Sequence, residues 1–147
     1  MGVGHVPQEP IYPERPGAQL QRRQHRGTSQ RGSLNFSRRA RGAWAEDLVA
    51  RHYERLGYVV VARNFHFRGG ELDLVAIRGR DLVICEVKAR ASSSHGSPAE
   101  SVTRTKQSRM RKGAVVFLRS AGLSGVKIRF DVACVLGTEL EVITDAF

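Results

Sequence analysis

The segments Glu71 to Arg78 and Asp81 to Lys88 are rich in apolar and β-branched residues and are separated by Gly79-Arg80 alone. Glycine at the first position of a two-residue loop favours a type II′ turn, so the spacing predicts a β-hairpin. With that loop, cross-strand partners have numbers that sum to 159, which sets Asp73 opposite Glu86 and Glu71 opposite Lys88. Period-two alternation places these four residues on one face with Val75, Ile77, Leu82 and Ile84. Leu72, Leu74, Val83, Cys85 and Val87 then line the other face. Two apolar faces predict a hairpin lying centrally in a sheet that is covered on both sides.

Opposed carboxylates at the end of such a core repel each other, and partial burial makes ionisation harder still. A divalent cation removes the conflict. Mg²⁺, or Mn²⁺ in its place, takes one or two carboxylates together with water and phosphate oxygens, which makes Asp73 and Glu86 candidate metal ligands. Lys88 is then a candidate point charge facing the same phosphate. The plainer reading is a solvated hairpin with a Glu71–Lys88 ion pair, against which the apolar residues of both faces weigh.

Residues 1–36 read as a disordered tail, poor in apolar side chains, and residues 37–147 as one domain with a single core. Through Ala40 the chain carries seven Arg, no Lys and two acids, a formal +5 out of +10 for the whole chain. A basic tail on a basic domain suits a polyanion, because neutralising phosphates releases counterions. It also suits a solubilising extension, and its composition resembles an organelle transit peptide. Neither a secretory h-region nor a membrane-spanning run is present, and two cysteines within apolar strands fit a reducing, cytoplasmic setting. Scattered histidines without metal-ligand spacing weigh against structural zinc.

From Arg41, the positions Ala45, Leu48, Val49, His52, Tyr53 and Leu56 follow helical periodicity up to Gly57, a C-terminal cap. Glu46 borders that apolar stripe while Asp47 points away, so Glu46 is either a further ligand or a helix-start acid. Tyr58 to Arg63 predicts a strand followed by an irregular stretch to Gly70, with Phe65 and Phe67 either core residues or stacking surfaces for bases. Ser97-Pro98-Ala99-Glu100 is a capping box, and Val102, Met110, Ala114, Phe117 and Ala121 continue a helical stripe behind it. Lys127 to Leu136 and Glu139 to Thr144 predict two more strands around Gly137-Thr138. The expected order is αβββαββ. Lys106, Arg63, Arg68, Arg90 and Arg109 are candidate contacts to a nucleic-acid backbone.

That order, with Asp73 and the Glu86-Val87-Lys88 step, resembles the restriction-endonuclease-like superfamily. A narrower resemblance, to the YraN family of bacterial proteins, rests on Gly42-Ala43-Trp44-Ala45-Glu46, Arg63-Asn64, Gly70-Glu71-Leu72-Asp73-Leu74, Glu86-Val87-Lys88-Ala89-Arg90, Lys106 and Arg129-Phe130-Asp131-Val132. The superfamily resemblance implies an α/β fold with a mixed sheet flanked by helices, and metal-dependent cleavage of nucleic acid, DNA before RNA. Ala45 and Leu72 depart from the family's common Gly and Pro, and neither departure removes a candidate ligand. On this reading Asp73, Glu86 and Lys88 are catalytic, Asp73, Glu86 and Glu46 hold the metal, and a homodimer would supply the two sites that junction cutting requires. The rival readings are a nucleic-acid-binding protein that keeps a nuclease scaffold without catalysis, and an adaptor whose tail docks on ribosomal RNA or an acidic partner.

Overall fold

A computed structural model describes residues 30–92 and 102–147, with side chains from residue 37 onward in its first helix. Of the expected 1–36 tail, residues 1–29 lie outside the described residues and the last seven fall in the first helix; the capping box at Ser97–Glu100 also lies outside the described residues. The order is α1 (Gln30–Arg55), β1 (Val59–Phe67), β2 (Gly70–Arg78), β3 (Asp81–Arg90), α2 (Arg104–Ala121), β4 (Lys127–Leu136) and β5 (Glu139–Ile143), the αβββαββ order of an α/β fold. One five-stranded sheet runs β1-β2-β3-β4-β5, antiparallel everywhere except for the parallel pairing of β3 with β4. The return from β3 to a parallel neighbour needs a long crossover, and α2 lies in it.

Each helix covers one face. Ala45, Val49, Ala50 and Tyr53 of α1 pack on Leu74, Ala76, Val83, Cys85, Ala133 and Val135, and Met110, Ala114 and Phe117 of α2 pack on Val75, Leu82, Ile84, Val132 and Cys134. The run Leu82–Glu86 is buried without interruption, as expected for a central strand covered on both sides. Gly113 lets α2 approach closely, since a Cβ there would lie 2.6 Å from the Phe67 ring and 2.8 Å from Leu72. Thr103 caps α2, its side chain accepting from the Lys106 N–H at 3.2 Å, and Gly122 closes the helix in the left-handed conformation.

The hairpin has the expected register, from Arg78↔Asp81 to Leu74↔Cys85. Elsewhere the structure corrects the sequence expectations. Helix α1 starts at Gln30, ahead of Arg41, because the polar residues that precede the apolar stripe carry no periodic signal. Leu56 and Ala121 extend the predicted stripes but are exposed at the helix ends. Strand β1 continues through the expected irregular stretch to Phe67. Leu72, expected on the face of Leu74, packs instead with Val75 on the α2 side.

The change of face at Leu72 has a local cause. Arg63 pairs with Leu74 and Phe65 with Leu72, and between them Asn64 adopts φ 48°. That left-handed residue breaks the alternation of β1, sending Arg63 toward Asp47 of α1 while Phe65 packs edge-on against Phe117 of α2. Strand β2 reverses in step, with Asp73 at the point of reversal. Phe65 and Phe67 are consequently partly buried and pack against the α2-side core.

Candidate functional site

The β2–β3 ladder ends at Leu74↔Cys85, one position before the two acids. Beyond that point β3 remains paired to β4 through Arg90, so its course does not depend on β2. Asp73 takes over where the ladder stops: its Oδ2 accepts the Val87 N–H at 2.9 Å, a side chain standing in for a backbone carbonyl.

Glu86 is 4% exposed and faces α2. Lys88, two residues along the same face, brings its Nζ to 2.9 Å from Oε1, and Lys106 in the first turn of α2 brings its Nζ to 2.8 Å from Oε2. The second contact is an ion pair at hydrogen-bonding distance that is less well aligned than the first. Asp73, Glu86, Lys88 and Lys106 thus converge from two strands and a helix that lie far apart in sequence.

Their titration follows from this arrangement. Burial, then the neighbouring Glu86 charge, push Asp73 up from 3.8 to about 7, against the pull of the Val87 N–H and Lys106. Burial also opposes ionisation of Glu86, but the lysine contacts outweigh it and hold that carboxyl below its usual value. Lys106 is held above its ordinary value because contact with Glu86, helped by the Asp73 and Glu71 charges, overcomes its own desolvation. One acid is therefore charged and paired near neutrality, while its neighbour sits at the edge of protonation. Two carboxyl groups with environments that push them apart are a recurrent mark of catalytic sites.

A hard cation suits this donor set. The two carboxylates offer oxygen only, and Asp73 is kept from ionising first by burial and then by the Glu86 charge, a repulsion that a cation would cancel. Glu46, the third expected ligand, does not join them: its Oε2 accepts from Asn64 Nδ2 at 2.8 Å. Among the described residues, no three His, Cys, Asp or Glu side chains gather closely enough to hold a metal ion together. Asn64 is nevertheless opposite the reversal point, so Glu46 braces the rim next to Asp73.

The expected backbone contacts disperse. Arg63 pairs with Asp47 on the α1 side, and Arg68 is exposed beyond the end of β1. Lys106 and Arg109 line an open recess of about 330 Å³ with His66, Gly70 and Glu71, beside the acids. Arg90 lines a second recess on the far side of Lys88.

Sequence reasoning did not anticipate the role of Asp131. Fully buried on β4, it receives Arg129 Nε at 2.9 Å on Oδ1 and Arg129 Nη2 at 2.9 Å on Oδ2. Tyr53 Oη donates to Oδ2 at 2.7 Å and the Asp145 N–H to Oδ1 at 3.0 Å. Both oxygens are satisfied, so this acid ties α1 and the C-terminal turn to β4 rather than offering a vacant ligand. The Arg-x-Asp spacing hinted at the pair, while Tyr53 is too distant in sequence for any local pattern to show.

The model of the uncharacterised protein family UPF0102 matches residues 45–135, a span that includes Asp73, Glu86, Lys88, Lys106 and Asp131. A UPF0102 protein of Rhodococcus jostii (strain RHA1) is 43% identical over 113 residues, covering 74% of this chain and 96% of that protein. One from Chlorobaculum tepidum is 43% identical over 100 residues, covering 68% and 78%, and one from Geobacter sulfurreducens is 41% identical over 111 residues, covering 72% and 87%.

Proposed function

Because the chain belongs to the UPF0102 (YraN) family, whose name assigns no reaction, we propose a function from its own side chains: metal-dependent hydrolysis of phosphodiester bonds in nucleic acid, DNA in the first instance. The observation that carries this reading is Glu86, a buried carboxylate with one oxygen on Lys88 and the other beside Lys106, adjoining a second acid that holds its proton to about pH 7. A purely structural ion pair needs one cation and no repelling neighbour.

Asp73 and Glu86 would hold Mg²⁺ or Mn²⁺, which when bound supplies an acidified water and neutralises charge on the leaving oxygen. The chain's own residues supply the remainder. Asp73 is aimed by its bond to the Val87 N–H, so it enters the chemistry with one orientation already fixed. Lys88 and Lys106 compensate Glu86 until a phosphate arrives, and either ammonium can then turn to an equatorial phosphate oxygen and stabilise the charge that develops there. Arg109, in the recess next to Lys106, extends the positive surface along the backbone of the substrate. No helix among the described residues is long and apolar enough to cross a membrane, and the formal charge of +10 favours a polyanionic partner.

A panel of labelled duplex, branched, flap and single-stranded substrates incubated with Mg²⁺ or Mn²⁺ tests the proposal, with Asp73→Ala and Glu86→Ala as controls. Cleavage by the wild type that both variants lose while still binding substrate is the expected result. Variants that cut as fast as the wild type would refute the site. Uniform absence of cleavage, with nucleic-acid binding that ignores both metal and Asp73, would favour a binding protein on a nuclease scaffold.

A further inference from the structure

The one tryptophan of the chain, Trp44, is 46% exposed on α1, where an aromatic of that size is ordinarily covered. Its setting is organised. The indole Nε1 donates to the Gly137 carbonyl in the β4–β5 turn at 3.2 Å, which fixes the ring against the sheet end, and the Arg51 guanidinium lies 5.5 Å from the ring centroid. Arg41, Trp44 and Arg51 follow one another at helical spacings of three and seven residues and so share a side of α1.

The ring borders a groove of about 410 Å³ lined by Arg41, Arg90, Val135, Leu136 and Thr138. That volume is within the range of sites for small ligands, roughly 300–1,000 Å³. Apolar walls, a fixed aromatic and arginines among the lining residues match the two parts of a nucleotide, a flat base and an anionic phosphate. Val135 belongs to the α1 side of the sheet whereas Glu86 meets Lys106 of α2, so the groove is a site apart from the acids.

We infer that the Trp44 groove is a stacking subsite for an unpaired base, so that the nucleic acid this protein handles carries a single-stranded segment. A base inside a duplex has both faces stacked already and cannot offer one to the indole. The inference rests on the nucleic-acid reading above and not on cleavage itself.

Trp44 provides its own readout, because intrinsic fluorescence can come from no other indole. The full chain carrying Glu86→Ala, without metal, is titrated with a short single-stranded oligodeoxynucleotide, with an oligomer of equal length lacking bases, and with the corresponding duplex. Base stacking predicts strong quenching by the first and little by the others. Trp44→Ala should weaken single-strand binding roughly 5- to 150-fold, and Trp44→Phe should recover most of the loss. Equal affinity and quenching with the abasic oligomer would overturn the proposal in favour of charge attraction alone, and that comparison needs no substitution at Trp44. Unchanged affinity in a folded Trp44→Ala protein would overturn it as well. Cleavage by the Glu86-containing protein is scored separately, so a failed stacking site and a failed nuclease assignment give different results.

Discussion

Replacing Asp73 with Asn should stabilise the metal-free protein, an outcome opposite to the usual effect of altering a partly buried polar residue. Asn keeps an oxygen to accept the Val87 N–H but removes the charge that burial and Glu86 oppose. Raising a carboxyl from 3.8 to about 7 corresponds to roughly 4 kcal/mol at about 1.4 kcal/mol per pH unit, reduced by water at the open side of the site to about 2 to 4 kcal/mol. The sign follows from linkage: the folded state holds the proton more tightly, so the wild type is least penalised below pH 4, where both states are protonated. Its stability relative to Asp73→Asn then declines as pH rises through the interval from about 4 to 7, and the difference becomes constant above that. Urea melts of both proteins at pH 4, 6 and 8 with chelator present measure the gap directly. Mg²⁺ added at pH 8 should raise the wild-type midpoint and leave the Asn variant nearly unmoved, because only a site with affinity for the ion gains by mass action. An Asn variant no more stable than the wild type at pH 8 would show that the two acids are not in electrostatic conflict, and the argument for a cation would lose its main support.

Lys106→Ala should remove the ammonium beside Glu86 Oε2, lower stability by about 1 to 3 kcal/mol in thermal melts at pH 7, and slow any cleavage without abolishing metal uptake. Tyr53→Phe should cost about 1 to 3 kcal/mol in urea unfolding, by leaving one lone pair of the buried Asp131 without a donor, and should not alter nucleic-acid binding. Gly113→Ala gains about 1 kcal/mol of helix propensity but drives a methyl group into Phe67 and Leu72, so a net loss of roughly 1 to 3 kcal/mol is expected in the same assay. A variant more stable than the wild type would show that α2 does not seat as closely on β1 and β2 as described.

The hairpin register from Arg78↔Asp81 to Leu74↔Cys85 was legible because alternation, turn chemistry and loop length are local properties of the sequence, and the ladder stops one pair short of the Asp73–Glu86 pairing that the same rule predicts. Gly137-Thr138 disclosed the β4–β5 turn for the same reason. What escaped was non-local or depended on a single dihedral angle. The left-handed Asn64 moved Leu72 to the opposite face without leaving any mark on the hydrophobic pattern. Lys106 was one of five candidate backbone contacts, and only the packing of α2 shows it facing Glu86 while Arg109 lies in the adjoining recess. Glu46 was placed correctly at the border of the stripe, yet its partner is Asn64, which periodicity has no means of selecting.

The bond from the Val87 amide to Asp73 has a consequence for substitution at this position. A main-chain donor left without its acceptor in a half-covered setting is costly, so the residue at 73 must present an oxygen at the reach of one methylene group. Glutamate is too long and alanine has none. Selection for a sound junction between β2 and β3 and selection for chemistry therefore converge on aspartate, with asparagine as the silent alternative: a chain that abandoned catalysis could drift to it and keep its shape.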